Sequence, residues 1–243
     1  RGLAIARGEI LPLTDFEPYI GALWTYILGF AFLIAGPSEY VGRSVTLLVG
    51  VLTIPATYLL AREIGGRHEA WIAATLLAVS SAHTLATSHP AWSHALAPLL
   101  LTMGIWQVAR SLKQDRPSGL AAAGAWLGLA LQIHLTMLAT LPGIAIAIAI
   151  KRWQWIRTPW PYVAAIVGLA LIGNIIWFNL QTGFESARRA GTVQAAYART
   201  KAPADQLYLD NVQRMAVGAL RTVTGAIDIR SSAAAYTRDS LLL

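Results

Sequence analysis

The sequence predicts an all-α protein whose helices form a multi-pass transmembrane bundle. Of its 243 residues, 56% are hydrophobic and only 13% are charged, whereas soluble domains carry about 25% charged residues. Four long intervals contain no Asp, Glu, Lys or Arg: 44–61, 70–109, 117–150 and 158–184. A helix crosses the hydrocarbon core of a bilayer, about 30 Å thick, in roughly 20 residues. These intervals are therefore long enough to span a membrane.

The net charge of +7 does not indicate a nucleic-acid partner. The basic residues lie at the ends of the apolar segments, where Lys and Arg act as topology signals. The chain contains no cysteine, which excludes disulfides, thiol catalysis and cysteine metal sites.

The apolar segments define the predicted helices in chain order. A mixed, polar segment, 1–17, precedes an aromatic-rich stretch that is either a span or a helix lying at the interface. Pro37 and Ser38 end that stretch. The run 119–150 is too long for one span, and polar residues divide it near Leu135. The predicted helices cover 18–36, 44–62, 71–87, 93–110, the two halves of 119–150, and 162–180.

The distribution of basic residues predicts the orientation. The turns near 62–67, 110–116 and 151–157 hold eight Lys and Arg, and the turns near 88–93 and 135–141 hold none. Because basic turns stay in the cytoplasm, the uncharged turns and the chain beyond Gln181 are expected outside. Arg43 is then expected at the outer surface.

Beyond 181 the composition becomes polar, and apolar residues recur at helical spacing over 208–223. This pattern predicts an amphipathic helix on the outer membrane surface or against a further domain. The sequence begins in mid-pattern and ends on Ser-Leu-Leu-Leu, which resembles the opening of another span. We therefore expect a fragment of a longer protein.

Some polar residues within the apolar segments suggest contacts between helices. Gly124 and Gly128 have the GxxxG spacing that allows two helices to pack closely. Asn174 and Asn179 are more typical of hydrogen bonds between helices than of ligand binding.

The turn 80–98 is the first candidate for a functional surface. It contains three of the five histidines and one tryptophan, without any charged residue. The alternative is an interfacial hairpin whose polar side chains lie at headgroup depth.

Three strings resemble one family. They are 17–36 followed by Val41-Gly42-Arg43, the run from Gly50 to Arg67, and Gly128-Leu-Ala-Leu-Gln-Ile-His134. In this order they resemble the GT-C glycosyltransferases of family 39, over roughly residues 1–185. This group includes protein O-mannosyltransferases and the bacterial aminoarabinose transferases.

The resemblance implies a cell-membrane enzyme that takes a sugar from a polyprenyl-phosphate donor at the outer face, with inversion at the sugar carbon. The acceptor would be a lipid, a protein or a glycan. Residues 18–36 would be a juxtamembrane helix, 1–181 the partial transmembrane domain, and 182–243 an outer loop with the amphipathic helix and the start of a span. The family's catalytic acid follows its first transmembrane helix in an Asp-Glu motif, which would fall before Arg1.

The chemistry requires a carboxylate for the acceptor's proton and donors for the leaving phosphate. The only outer acids near a membrane-associated helix are Asp15 and Glu17, which are otherwise ordinary solvated acids. Arg43 is the candidate for the phosphate, or else a residue that extends to the interface. The remaining candidates for phosphate and sugar binding are His83, Ser88, His89, Trp92, His94 and His134.

Each of these candidates has a structural alternative. Trp92 suits stacking on a sugar face, but a tryptophan at the interface is more often a residue of the aromatic belt. His134 either bonds to a neighbouring helix or faces the donor cavity. The histidines lack a fixed ligand spacing, so no metal site is assigned, although a divalent cation remains possible.

Two other functions fit the same features. A transporter or flippase of lipid-linked intermediates would share the spans and the phosphate-facing arginine, but it needs no catalytic carboxylate. A structural membrane subunit would need neither the phosphate-facing arginine nor a catalytic carboxylate.

Overall fold

We describe a computed structural model of the chain, covering residues 1–88 and 93–199 together with Gln213 and Val217. The amphipathic helix predicted over 208–223 and the further span lie, apart from those two residues, outside the described part. The described residues form eleven α-helices: α1 (Gly2–Ala6), α2 (Leu23–Ala35), α3 (Glu39–Ile64), α4 (Arg67–Ala78), α5 (Ser81–Ser88), α6 (Leu96–Gln114), α7 (Gly119–Ile133), α8 (Leu141–Arg152), α9 (Trp160–Leu171), α10 (Gly173–Thr182) and α11 (Glu185–Arg199).

The all-α membrane class is confirmed. Within the described residues there is no strand, and one isolated antiparallel bridge joins Thr14 to Gly21. By length and composition, three helical segments could cross a membrane: Glu39–Ile64, Ser93–Gln114 and Leu135–Arg157. The number rises to five if the bent pairs α4–α5 and α9–α10 each count as one span. The 13 residues of α2 are fewer than a bilayer-spanning helix requires.

Two segments predicted as single helices are bent. The predicted helix over 71–87 is the pair α4–α5, bent by 56°. Ser80 Oγ accepts a hydrogen bond from the backbone N–H of His83 at 3.3 Å and so caps a new helix. The predicted span over 162–180 is the pair α9–α10, bent by 59°. There the N–H of Ile175 bonds to the carbonyl of Ile172 instead of continuing the ladder to Leu171.

Helix α3 begins five residues before the predicted start at 44. Ser38, which is predicted to end the preceding apolar stretch, is the N-cap of α3. The Oγ of Ser38 accepts a hydrogen bond from the N–H of Tyr40 at 3.2 Å. A serine that ends one apolar segment can thus start the next helix, because its hydroxyl satisfies an otherwise free amide.

Helices α6 and α7 lie at the centre of the bundle. They pack against each other, α6 also packs on α3, and α7 on α9. One buried cluster joins α2, α3, α6 and α7 through Trp24, Val49, Leu100 and Ile133. A second cluster, which includes Val108 and Leu120, joins the other ends of α6 and α7 to Trp155. The core therefore runs along the α6–α7 pair.

The contact between α7 and α9 depends on small residues. A Cβ added at Gly124 would overlap the carbonyl oxygen of Ala164, and one at Gly128 would lie 2.9 Å from the Cα of Gly168. The backbones approach this closely because both α7 positions lack a side chain. The packing role predicted for the GxxxG pair is confirmed.

The basic turns gather at one end of the bundle. Lys113 Nζ lies 3.5 Å from Glu63 Oε2, which joins the C-terminal ends of α6 and α3. Arg152 Nε lies 2.8 Å from Asp115 Oδ1, which brings the end of α8 to the same place. His94 lies at the opposite end of α6, roughly 24 Å from Arg110 at a rise of about 1.5 Å per residue. The bundle thus has a basic end and a histidine end.

We predict that Gly124→Ala destabilises the protein by roughly 1–3 kcal/mol, because the added methyl group forces α7 and α9 apart. The measurement is thermal unfolding of the purified protein in detergent. Gly143→Ala is the matched control, since nothing lies within 4 Å of a Cβ at Gly143 in α8. Equal unfolding temperatures for the two variants would contradict the packing described here.

Candidate functional site

A cavity of about 720 Å³ lies at the histidine end of the bundle. We call it the acidic cavity, because two carboxylates line it. Its walls come from the loop between α1 and α2, the starts of α2 and α6, the end of α7 and one face of α11. The lining residues are Asp15, Phe16, Glu17, Tyr19, Ile20, Trp24, Ser93, His94, His134, Leu135, Thr136, Ala190 and Val193.

The two acids lie on a tightly folded loop, residues 13–21, which we call the acidic loop. The N–H of Asp15 donates to the carbonyl of Ile20 at 2.8 Å, and the N–H of Ile20 donates to the carbonyl of Glu17 at 3.0 Å. Asp15 Oδ1 accepts from the N–H of Phe16 at 2.8 Å. These bonds hold both carboxylates on one short segment, so their positions depend on the loop as a unit.

Three long-range hydrogen bonds attach this loop to the bundle. The N–H of Gly21 donates to the carbonyl of Gln132 at 2.7 Å. Asn174 Nδ2 donates to the carbonyl of Leu13 at 2.6 Å, and Ser186 Oγ donates to the carbonyl of Pro18 at 2.5 Å. The loop is thereby held by α7, α10 and α11 together.

Glu17 forms an ion pair with Arg189 of α11. Arg189 Nε lies 3.1 Å from Glu17 Oε2, and its second terminal nitrogen lies 3.3 Å from Oε1. The hydrogen bonds to Glu17, and then the charge of that carboxylate, raise the pKa of Arg189. Asp15, in contrast, has no ion pair within the described part of the chain. The two acids therefore differ in their partners: Glu17 pairs with a cation, and Asp15 does not pair with one in this part of the chain.

Two imidazoles face each other across the cavity wall. The ring centroids of His94 and His134 are 5.1 Å apart, and Tyr19 meets His134 edge to face at 5.7 Å. His134 Nδ1 accepts from the N–H of Thr136 at 3.2 Å and lies 2.8 Å from its hydroxyl. That acceptor role places the proton of the neutral ring on Nε2.

The charge state of His134 follows from its surroundings. His134 lies in the connection after α7, outside the candidate spans. Burial, and secondarily the neighbouring His94, lower the pKa of His134 below its usual value. Both effects favour the neutral imidazole at pH 7. The ring then offers one N–H donor without adding positive charge to the cavity.

The structure brings together four of the residues predicted for the site, namely Asp15, Glu17, His94 and His134. His134 lines the cavity, and its Nδ1 bonds to Thr136, two residues further along the chain. That this cavity receives the donor stays a prediction.

The other candidates lie elsewhere. Arg43 is exposed and pairs with Glu39, one turn earlier in α3. His83 Nε2 lies 3.0 Å from the carbonyl of Gly50, between α5 and α3. Ser88 donates to the carbonyl of Leu85 at 3.3 Å. His89 and Trp92 are outside the described residues.

Sequence reasoning missed several residues of the site. The most important is Arg189, which does not itself line the cavity but pairs with Glu17, 172 positions away. The available signal was a pair of adjacent arginines just after the last span, on the side where the positive-inside rule expects few. Tyr19 and Trp24 belong to a stretch noted only as aromatic-rich. Ser93 and Thr136 had no signal beyond their neighbouring histidines.

Within the described residues no group of three or more His, Asp or Glu side chains is placed to hold a metal ion. The divalent cation considered from the sequence therefore has no ligand set in this part of the chain.

An apolar cavity of about 520 Å³ lies between α7, α8 and α9. Its lining includes Gly124 and Gly128 of the close helix contact, and Leu131 and Leu138 on either side of His134. It therefore extends from the helix contact to the segment that carries His134.

The described residues thus form a bundle of apolar helices with a polar cavity at one end. Comparison with protein families supports a membrane glycosyltransferase of the GT-C type: the model of the dolichyl-phosphate-mannose-protein mannosyltransferases matches residues 21–177. The chain belongs to that family, which acts with a lipid-linked sugar donor in a membrane. Neither the curated proteins nor the solved structures gave a match.

The matched range contains only part of the cavity lining. It includes His94, His134 and Gln132, and it excludes Asp15, Glu17 and Arg189. The family match thus covers the bundle and the two histidines. The assignment of Asp15 and Glu17 to the site rests only on the structure of this chain.

We predict that Gly21→Ala loosens the acidic loop. An added Cβ would overlap the Gln132 side chain and lie 2.8 Å from its carbonyl oxygen, which accepts the Gly21 N–H. Amide hydrogen exchange over residues 14–21, followed by mass spectrometry, should accelerate about fivefold, as expected when a hydrogen bond worth about 1 kcal/mol is lost. Gly143→Ala serves again as the control, and unchanged exchange in Gly21→Ala would argue against this attachment.

Proposed function

We propose that this protein transfers a sugar from a polyprenyl-phosphate donor to the hydroxyl group of a lipid, protein or glycan acceptor at the outer membrane face. The observation that carries the proposal is the acidic cavity itself. Its lining combines Asp15, a carboxylate without an ion pair in the described part of the chain, with two imidazoles and with Glu17, which pairs with Arg189. The transfer needs a base for the acceptor's proton and donors for the leaving phosphate, and these groups supply both.

The segregation of charge supports the outer location. The basic turns meet at the end of the bundle opposite His94, and basic turns belong to the cytoplasm. Nucleotide sugars are absent outside the cell membrane, so the donor must arrive already activated. A lipid phosphate activates the sugar and also anchors it in the membrane.

In this proposal Asp15 is the general base, and Glu17 positions the arginine that binds the leaving phosphate. Asp15 accepts the proton of the acceptor hydroxyl, whose oxygen bonds to the anomeric carbon of the sugar. The bond from that carbon to the phosphate oxygen breaks, and the polyprenyl phosphate leaves with the bonding electrons. Arg189, oriented by Glu17, stabilises the charge on the leaving phosphate.

The apolar cavity suits the lipid part of the donor. It lies between α7, α8 and α9 and reaches Leu131 and Leu138, which flank His134. A hydrocarbon chain that enters between these helices would place its phosphate near His134 and the acidic loop. The neutral imidazole N–H then serves as a hydrogen-bond donor to phosphate or sugar oxygens.

We predict that Asp15→Asn lowers kcat about 100-fold, because a general base contributes about 10²–10⁴ to rate. The measurement is transfer of labelled sugar from polyprenyl-phosphate donor by the full-length protein in membranes. Glu9→Gln is the matched control, since Glu9 is an exposed carboxylate of the same polar segment that pairs with Arg7 and does not line the cavity.

Full activity of Asp15→Asn would exclude Asp15 as the base and favour an acid preceding Arg1, as the family resemblance implies. If the full-length protein moved the donor across the membrane without any transfer, the glycosyltransferase proposal would fail and the flippase alternative would replace it.

We predict that Arg189→Gln raises KM for the donor about tenfold, the loss expected for one charge-assisted hydrogen bond to phosphate. Arg189→Lys keeps the positive charge and should recover part of the affinity. Arg188→Gln is the control, because Arg188 pairs with Glu185 on the same helix. Equal donor KM values for Arg188→Gln and Arg189→Gln would show that Arg189 does not bind the donor.

A further inference from the structure

A second polar cavity, of about 470 Å³, lies at the basic end of the bundle. We call it the basic cavity. The C-terminal ends of α3 and α6 and the turn that leads into α4 enclose it. The lining residues are Leu59, Arg62, Glu63, Gly66, Arg67, Trp106, Arg110, Lys113 and Gln114.

The charges in this cavity are unbalanced. Four cationic side chains face one carboxylate, that of Glu63. Lys113 pairs with this carboxylate at 3.5 Å and also donates to the backbone carbonyl of Glu63 at 3.3 Å. Within the described residues, Arg62, Arg67 and Arg110 form no ion pair. Three guanidinium groups therefore remain for an anion.

Trp106 gives the cavity one firm wall. The guanidinium carbon of Arg110 lies 5.2 Å from the centre of the Trp106 ring, within the range of a cation–π contact. The indole Nε1–H of Trp106 is buried and has no hydrogen-bond acceptor in the described part of the chain. Arg110 is thus positioned by stacking, without a counter-ion.

The start of α4 adds to the attraction for anions. Gly66, its N-cap, has φ 119° and offers no side-chain cap to the first amides of a 12-residue helix. The positive end of the helix dipole favours negative charge at this position. Glu69, in the first turn of the same helix, has a carboxylate close to this position: a Cβ at Gly66 would lie 3.2 Å from its Oε2.

The surroundings of the basic cavity are those of a lipid headgroup. Ile64 and Trp71, next to the cavity in sequence, are 72% and 57% exposed, and Tyr58 meets Trp71 edge to face at 5.0 Å. Exposed aromatic and aliphatic side chains beside cations are typical of the membrane interface. Basic cavities between the cytoplasmic ends of helices bind the phosphates of anionic lipids.

We propose that the basic cavity binds the phosphate of an anionic phospholipid headgroup, in the leaflet opposite the acidic cavity. The planar guanidinium groups of Arg62, Arg67 and Arg110 are suited to hold phosphate oxygens in pairs. The fatty-acid chains would then lie along the exposed apolar surface near Ile64 and Trp71. This site is independent of the sugar donor and of the transfer reaction.

The test measures binding of short-chain phosphatidylglycerol to the full-length protein in detergent by native mass spectrometry. Short-chain phosphatidylcholine and inorganic phosphate are titrated in parallel. The cavity variant is Arg62→Gln/Arg110→Gln, which leaves the Lys113–Glu63 ion pair in place. The control variant is Arg116→Gln/Lys151→Gln, which removes the same charge from exposed positions outside the cavity lining.

We expect phosphatidylglycerol to bind the unaltered protein and the control variant, and the cavity variant to bind it about tenfold more weakly, as expected when charge-assisted hydrogen bonds are lost. The proposal is overturned if phosphatidylcholine binds equally well, or if the cavity and control variants retain phosphatidylglycerol equally. Binding of inorganic phosphate alone, with the same dependence on the two arginines, would instead identify a soluble phosphate as the ligand and overturn the lipid assignment.

Discussion

The polar contacts around Gln132 hold the acidic loop against the end of the bundle. This side chain is only 7% exposed near the end of an apolar helix, where an amide without partners would be costly. Its Nε2 donates to the carbonyl of Leu171 at 2.5 Å and to Asn174. The Leu171 carbonyl is available because the helix breaks after it. Asn174 in turn donates a hydrogen bond to the carbonyl of Leu13, and the backbone carbonyl of Gln132 accepts one from the N–H of Gly21.

The membrane imposes a second constraint, because charge is expensive inside it. The charged side chains therefore collect at the two ends of the bundle, and each end acquires its own chemistry. Three arginines that form no ion pair with any other described residue line one end. Two carboxylates, of which Glu17 is paired with Arg189, line the other. Helix α6 runs from one cavity to the other, so their separation follows from its length.

Local patterns predicted what depends on local physics. Uncharged intervals identified the membrane class, and the spacing of Gly124 and Gly128 identified a close helix contact. The bends escaped prediction, because the helix predicted over 71–87 continues past Ser80 into the polar turn, and because Ile172 lies inside an apolar run that suits a straight helix. The Glu17–Arg189 pair could not be predicted, since no spacing rule joins residues 172 positions apart. Arg43 has the charge expected of a phosphate ligand, yet the fold places it on α3, away from the lining of the acidic cavity.

The central claim is that the acidic cavity and the basic cavity open on opposite sides of the membrane, with the acidic one outside. The chain contains no cysteine, so labelling of a single introduced thiol shows on which side of the membrane that residue lies. Ser88→Cys and Gln114→Cys both replace exposed residues, one near the histidine end and one in the basic cavity. In intact cells, a maleimide that cannot cross membranes should label Ser88→Cys and leave Gln114→Cys unlabelled. Labelling of Gln114→Cys alone would contradict the account.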